Sequence, residues 1–131
     1  MRLVDTSAWL EFLRRKGEPK VKQEVALLLE SDQAAFTCPI RFELLVGVKP
    51  PEEADLEEAF SLSLHVPFEI EDWQAAAGLE RQLRSKGLTI PRNDLFVATV
   101  AIRTGLAVLC RDPHFDVMRR ALGSGLKVDQ L

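Results

Sequence analysis

Leu3-Val4-Asp5-Thr6-Ser7-Ala8-Trp9-Leu10 holds two apolar residues, an acid, two hydroxyls and then an apolar run. Residues 1–5 predict a short buried strand ending on Asp5. Thr6 and Ser7 supply helix-capping chemistry, and Trp9, Leu10 and Leu13 follow at helical spacing. A strand that passes directly into a helix, with an acid at the junction, sets the pattern for the rest of the chain.

Working outward, Gly17 and Pro19 break the first helix, and a second over about 20–30 carries Val21, Val25, Leu28 and Leu29 on one face. Ala34-Ala35-Phe36-Thr37 predicts a strand. Pro39 then sits at the start of a helix that holds Ile40, Leu44 and Leu45 and stops near Gly47 and Pro50-Pro51. An acidic helix over 52–60 and a strand over 62–66 come next. The longest amphipathic helix spans about 69–86, with Ile70, Trp73, Ala76, Ala77, Leu79 and Leu83 turned inward and Gly87 as its stop. Ile90-Pro91-Arg92-Asn93-Asp94 leads into an apolar helix over 94–104, closed by Gly105. Residues 106–110 read as a strand, Asp112-Pro113 opens a last helix, and Gly123 and Gly125 flank the turn to a strand around Lys127-Val128. Such alternation, with strands apolar on both faces, predicts a parallel sheet covered by helices on both sides. The expected fold is a three-layer α/β/α domain over 1–131.

The chain has 131 residues, 47% hydrophobic and 28% charged, the composition of an ordinary globular domain. A chain of this length buries roughly two-thirds of its unfolded surface. No apolar run approaches the roughly 18–20 residues of a membrane span, and the first residues leave no room for a signal peptide, so a cytoplasmic location is expected. Cys38 and Cys110 read as reduced, half-buried thiols. His65 and His114 lack zinc-ligand spacing, so a hydrolase here works mainly through carboxylates. The formal net charge of −3 contrasts with the basic face usual in nucleic-acid enzymes.

In an open parallel sheet, ligands bind beyond the carboxyl ends of the strands. Asp5 ends the first strand, Asp112 follows the fourth by two residues, Asp94 opens the helix before it, and Glu43 lies early in the helix after the second. If the first and fourth strands are neighbours, Asp5 and Asp112 share one crevice, and the helix starts bring Asp94 and Glu43 towards its rim. Clustered carboxylates call for a cation. Magnesium or manganese suits oxygen ligands, and a pair of such ions about 4 Å apart activates water and polarises a phosphate. That chemistry is phosphodiester hydrolysis, with Asp5, Asp94 and Asp112 as metal ligands and Glu43 completing the shell or orienting water. Each acid also has a structural alternative. Asp112-Pro113 and Asn93-Asp94 fit helix caps, Asp5 can serve the Thr6-Ser7 turn, and Glu43 can be a solvated helix acid. Four at one end of one sheet favour the joint reading, and Asp5 most of all, because a carboxylate directly after Leu3-Val4 is costly to bury unpartnered.

Around this quartet, Asp116 lies one helical turn beyond Asp112, as a supporting acid or a solvated one. Arg92 and Arg111, beside site acids, are candidates for substrate contact, whereas Arg14, Arg15 and Lys16 read as cations at a helix C-terminus. Trp9 and Trp73, at apolar periodicity, read as packing residues rather than base-stacking ones. Two divalent ions would take the formal −3 to about +1, so the acid excess is in part a metal site seen without its metals.

Four stretches carry a family resemblance: Leu3-Val4-Asp5-Thr6-Ser7-Ala8-Trp9-Leu10, Arg41-Phe42-Glu43-Leu44-Leu45-Val46-Gly47, Asn93-Asp94-Leu95-Phe96-Val97-Ala98 and Leu109-Cys110-Arg111-Asp112-Pro113-His114-Phe115. In order and separation the chain resembles PIN domains, and among them VapC-type toxins of prokaryotic toxin–antitoxin pairs. The resemblance implies a five-stranded parallel sheet between helices and endonucleolytic cleavage of RNA with magnesium or manganese. It gives Asp5, Glu43, Asp94 and Asp112 the family's acidic roles, with Thr6 or Ser7 holding Asp5 or a water. It also implies a homodimer and a cognate antitoxin that wraps the toxin and reaches into the cleft. Two departures stand out: Arg92-Asn93 where the family is more apolar, and Cys110 where threonine is frequent. Other carboxylate enzymes fit less well. A haloacid-dehalogenase-like phosphatase needs an acid where Ser7 stands, and a receiver domain needs an acidic pair that is missing. The remaining rival is a catalytically silent PIN-like module that binds RNA or a partner, against which the intact acids argue.

Overall fold

Leu3 and Val4 are fully buried because the strand that carries them has a neighbour on each side. The computed structural model describes residues 1–123 and 125–131, so the turn expected between Gly123 and Gly125 includes a position, 124, outside the described residues. The chain runs β1 (Arg2–Val4), α1 (Thr6–Leu13), α2 (Pro19–Glu30), β2 (Ala34–Phe36), α3 (Cys38–Gly47) and, after a 3-10 turn at Pro50–Glu52, α4 (Glu53–Ser61). It continues through β3 (Leu64–His65), α5 (Ile70–Ser85), α6 (Arg92–Thr104), β4 (Ala107–Cys110), α7 (His114–Leu122) and β5 (Val128–Gln130).

Among the described residues the strands form one five-stranded sheet in the order β3-β2-β1-β4-β5. Each pairing is parallel, with Leu3 opposite Ala35 on one side and Val4 opposite Leu109 on the other. The result is the three-layer α/β/α architecture that the alternation of elements predicts. Trp9 is fully buried and packs edge-on against Phe60, at 5.8 Å between ring centroids, so it is a core residue as its spacing suggests. No described helix is long and apolar enough to cross a membrane.

Local chemistry sets the element ends. At Gly17 a Cβ would lie 1.8 Å from the Glu11 carbonyl oxygen, so only glycine lets the chain turn there beneath α1. The Lys22 ammonium reaches back from α2 to the Phe12 carbonyl at 2.8 Å, satisfying an acceptor at the end of α1. Gly105, at φ +74°, closes α6 in the left-handed conformation and donates to the Ala101 carbonyl.

Three expectations need correction. On α5, Ile70 is 85% exposed and Trp73 59%, and Ala77 is exposed as well; the buried stripe runs through Asp72, Ala76 and Leu83, with Leu79 partly covered. The helix is rotated because Asp72, 1% exposed, is held by Arg103 of α6 through two hydrogen bonds of 2.9 and 3.0 Å. The third strand shrinks to two exposed residues, since Leu62 and Ser63 are used to close α4 through bonds to its last carbonyls. The thiols are not both half-buried: Cys38 is exposed and Cys110 is wholly enclosed, and both are free.

Candidate active site

The order of the strands reverses at β1, which sends β2 and β3 to one side and has β4 and β5 on the other. A crevice opens beyond the carboxyl ends of strands at such a switch point. Asp5 follows β1 at that point and Asp112 follows β4.

Asp5 comes directly after β1 and caps α1. Its Oδ2 accepts from the Ser7 backbone N–H at 3.2 Å and from the Ser7 hydroxyl at 2.8 Å. Asp5 is 2% exposed, and its other oxygen, Oδ1, is buried with no hydrogen-bond partner. The cap therefore uses one oxygen and leaves the second unsatisfied. Ser7 Oγ also accepts from the backbone N–H of Arg111 at 3.0 Å, which fastens the exit of β4 to the start of α1. The same hydroxyl lies 3.4 Å from the Asp112 amide, so Asp5 and Asp112 are held beside one another.

Asp94, in the first turn of α6, is buried; Asp112, in the loop after β4, is half-buried. His114 joins them. Its Nδ1 lies 2.9 Å from Asp94 Oδ2 and 2.7 Å from Asp112 Oδ1, and its backbone N–H donates to Asp112 Oδ1 at 2.8 Å. Asp94, Asp112 and His114 thus offer three ligand atoms within 4.8 Å of one another, a spacing able to hold a metal ion. Spacing rules for zinc passed over His114. The signal that was available is its place two residues after Asp112, at the N-terminus of α7.

Electrostatics report the same crowding. Burial raises the Asp5 carboxyl to about 6 against the pull of the Ser7 hydrogen bonds, and the charge of Asp112 adds to the rise. Asp94 is raised to about 7 by burial and by the charges of Asp112 and Asp5, with His114 opposing. Burial pushes the Cys110 thiol up as well, helped by Asp5, Asp112 and Asp94. Negative charge here is confined and under-compensated, which is the condition a bound cation relieves.

Glu43 stands apart from the three-atom cluster. It is half-exposed on α3, and its Oε1 accepts from the Thr6 hydroxyl at 3.0 Å, which links it to the residue beside Asp5. Asp116 is engaged by Arg119 at 3.1 Å and by Arg120 at 2.9 Å, and the Arg119 hydrogen bond holds its carboxyl below the usual range. Arg92 is exposed and pairs with Glu80 at 3.3 Å, while Arg111 is exposed beside Asp112. Next to the crevice a cleft of about 230 Å³ is lined by Phe42, Phe68, Trp73, Asn93 and Phe96, together with Cys38. A second groove, of about 320 Å³, runs between α1, α2 and α4; Phe12, Leu13 and Leu29 lie along it, and Glu30, Asp55 and Glu58 give it an acidic rim.

Comparison with known proteins agrees with this geometry. The PIN domain family matches residues 2–121. VapC ribonuclease Mb1587 of Mycobacterium bovis is 38% identical over 125 residues, covering 92% of each chain. Ribonuclease VapC11 of Mycobacterium tuberculosis matches to the same extent. Among solved structures, VapBC2 from Rickettsia felis, bound to a DNA fragment from their promoter, superposes with a TM-score of 0.80. It covers 99% of this chain and 98% of its own at 18% identity, a likeness of fold.

Proposed function

The chain belongs to the PIN-domain family, and from that premise we propose that it is a metal-dependent endoribonuclease, the toxin of a toxin–antitoxin pair. The observation that carries the reading is the meeting of Asp94, Asp112 and His114, with Asp5 near enough to share their charge and one of its buried oxygens unpartnered. A buried carboxylate oxygen without a donor is costly unless something outside the chain satisfies it. The donor set fits magnesium or manganese: oxygen atoms predominate and the cluster is acidic.

Asp94 and Asp112 would hold the ion, with Asp5 as the third carboxylate, and a divalent ion in such a site supplies Lewis acidity towards a phosphodiester and its attacking water. The chain's own residues do the positioning. Ser7 fixes the Asp5 carboxylate and the loop that carries Asp112 at once. Thr6 holds Glu43 turned towards the start of α1, where its free oxygen can orient a water or complete the ion's shell. Arg111, exposed beside Asp112, is placed to meet a phosphate; Arg92 can do so after giving up Glu80. Asp116, taken up by two arginines, serves the arginines rather than the ion.

Two partners complete the reading. The acidic-rimmed apolar groove between α1, α2 and α4 suits an amphipathic antitoxin segment with basic flanks. The exposed apolar side chains beside the crevice suit a second copy of this chain.

The decisive experiment is cleavage of an RNA pool, followed by sequencing of the new ends, with and without magnesium or manganese. Asp94→Asn is expected to lose at least about a hundredfold in rate and to bind the ion weakly. Full activity in Asp94→Asn or in Asp5→Asn would overturn the assignment. Metal-independent RNA binding with no cleavage would leave the silent binding module in its place.

A further inference from the structure

His114 makes two contacts with one atom. Its Nδ1 lies 2.9 Å from Asp94 on α6 and 2.7 Å from Asp112 after β4, two oxygens brought from separate parts of the chain. A ring nitrogen carries at most one hydrogen, so Nδ1 can donate to only one of these oxygens, while Asp112 Oδ1 also accepts from the His114 backbone N–H at 2.8 Å. A cation among the three atoms answers all of them. The distances suit a shared ion as well as they suit a hydrogen bond, because ligands about 2.1 Å from an octahedral ion lie about 3 Å from their neighbours. Side-chain exposure rises from 11% at Asp94 through 24% at Asp112 to 39% at His114, so the imidazole lies on the side from which an ion enters. Asp5, whose buried Oδ1 has no partner, is close enough to share charge with Asp94 and Asp112.

We infer that His114 is a direct nitrogen ligand of the site and that it biases the site towards manganese over magnesium. The inference rests on the metal-dependent reading above and deepens it by naming the ion the chain selects. Magnesium is a hard ion that prefers oxygen and keeps its waters, so exchanging a water for an imidazole gains it little. Manganese also accepts carboxylates, but as a first-row transition ion it takes a nitrogen donor more readily than magnesium does. An all-carboxylate crevice would leave the two nearly equivalent. A carboxylate crevice with one imidazole does not.

The test reads the ion rather than the reaction. The chain holds one other histidine, His65, which stacks on Phe36 and lies against Cys38, and it serves as the control. Pulsed electron paramagnetic resonance of the manganese-loaded protein is expected to show nitrogen-14 coupling in the wild type and in His65→Ala, and none in His114→Ala. Calorimetric titration with each ion alone is expected to show the magnesium-to-manganese ratio of Kd falling at least about tenfold in His114→Ala. His114→Gln, which retains a polar side chain of similar reach, is expected to follow His114→Ala. The wild-type spectrum stands whether or not the variants fold. Manganese binding without nitrogen coupling, at an unchanged ratio, would overturn the inference and leave a carboxylate site intact. Binding of neither ion to the wild type would overturn both this inference and the proposed function.

Discussion

Asp5 shows how one residue serves the fold and strains it. Its carboxylate caps α1 through Ser7, yet burial raises its pKa from 3.8 to about 6. A raised acid favours the protonated folded state, so in the metal-free chain this group does no harm below the unfolded value of 3.8. Between there and about 6 the folded state holds the extra proton, and its stability falls as the pH rises through that window. Above about 6 the full penalty applies, at most about 3 kcal/mol for a shift of this size. Asp5→Asn, which retains an acceptor for Ser7, is therefore expected to stabilise the metal-free protein near pH 7.5 by on the order of 1–2 kcal/mol, and to give no gain near pH 4. Urea unfolding midpoints in the presence of a chelator measure this directly. Added manganese should reverse the order, raising the wild type more than the variant. The place of Asp5 at the end of a buried strand was legible in sequence, because a lone acid after two apolar residues is conspicuous. His114 was not read as a site residue, because its contact with Asp94 joins α6 to α7 across 20 residues and forms only in the folded chain.

At the scale of elements, local signals located the helices and strands but not always their faces. The capping residues, glycines and apolar runs that bound α1, α2, α3 and α6 act within a few residues, so sequence shows them. The rotation of α5 depends instead on Arg103, 31 residues beyond Asp72, which draws an acid inward and leaves Ile70 and Trp73 outside. Hydrophobic periodicity cannot register a buried ion pair whose other half sits on another helix. The pair gives a sharp prediction. Arg103→Leu leaves the Asp72 carboxylate buried with only the Glu69 backbone N–H, at 2.8 Å, and is expected to destabilise the protein by about 3 kcal/mol, the low end for a broken buried pair because Arg103 is partly solvated. Replacing Asp72 by leucine in the same chain should recover most of that loss, as read from paired denaturation curves. No recovery would mean that the Arg103 contact to the Pro67 carbonyl, at 2.9 Å, matters more than the ion pair.

Over the whole molecule, the sheet order puts the acids at one edge, and the rotated α5 sets an apolar face beside them. Phe42 and Val46 share one face of α3 and are 63% and 73% exposed; Ile70 and Trp73 share one face of α5 and are 85% and 59% exposed. Phe42 and Trp73 meet in a single cleft with Asn93, the neighbour of Asp94, so this face borders the crevice. With Phe42 and Trp73 in one cleft, side chains this apolar and this exposed suit an interaction surface. In a two-fold dimer the same patch serves both chains, so a second copy seated here would bring both crevices to the edges of one interface. An RNA strand crossing that interface would then meet the cations of two sites, a way for a chain of formal charge −3 to hold a polyanion. Sedimentation should show the wild type as a dimer at micromolar concentration, and Val46→Ser with Ile70→Ser as a monomer. Both side chains are largely solvated in the single chain, so the pair of substitutions should alter folding stability by no more than about 1 kcal/mol. A wild type that sediments as a monomer would refute the second copy as occupant. The face would then be free to stack bases, and RNA binding to Asp94→Asn should quench the emission of exposed Trp73 while leaving buried Trp9 unaffected.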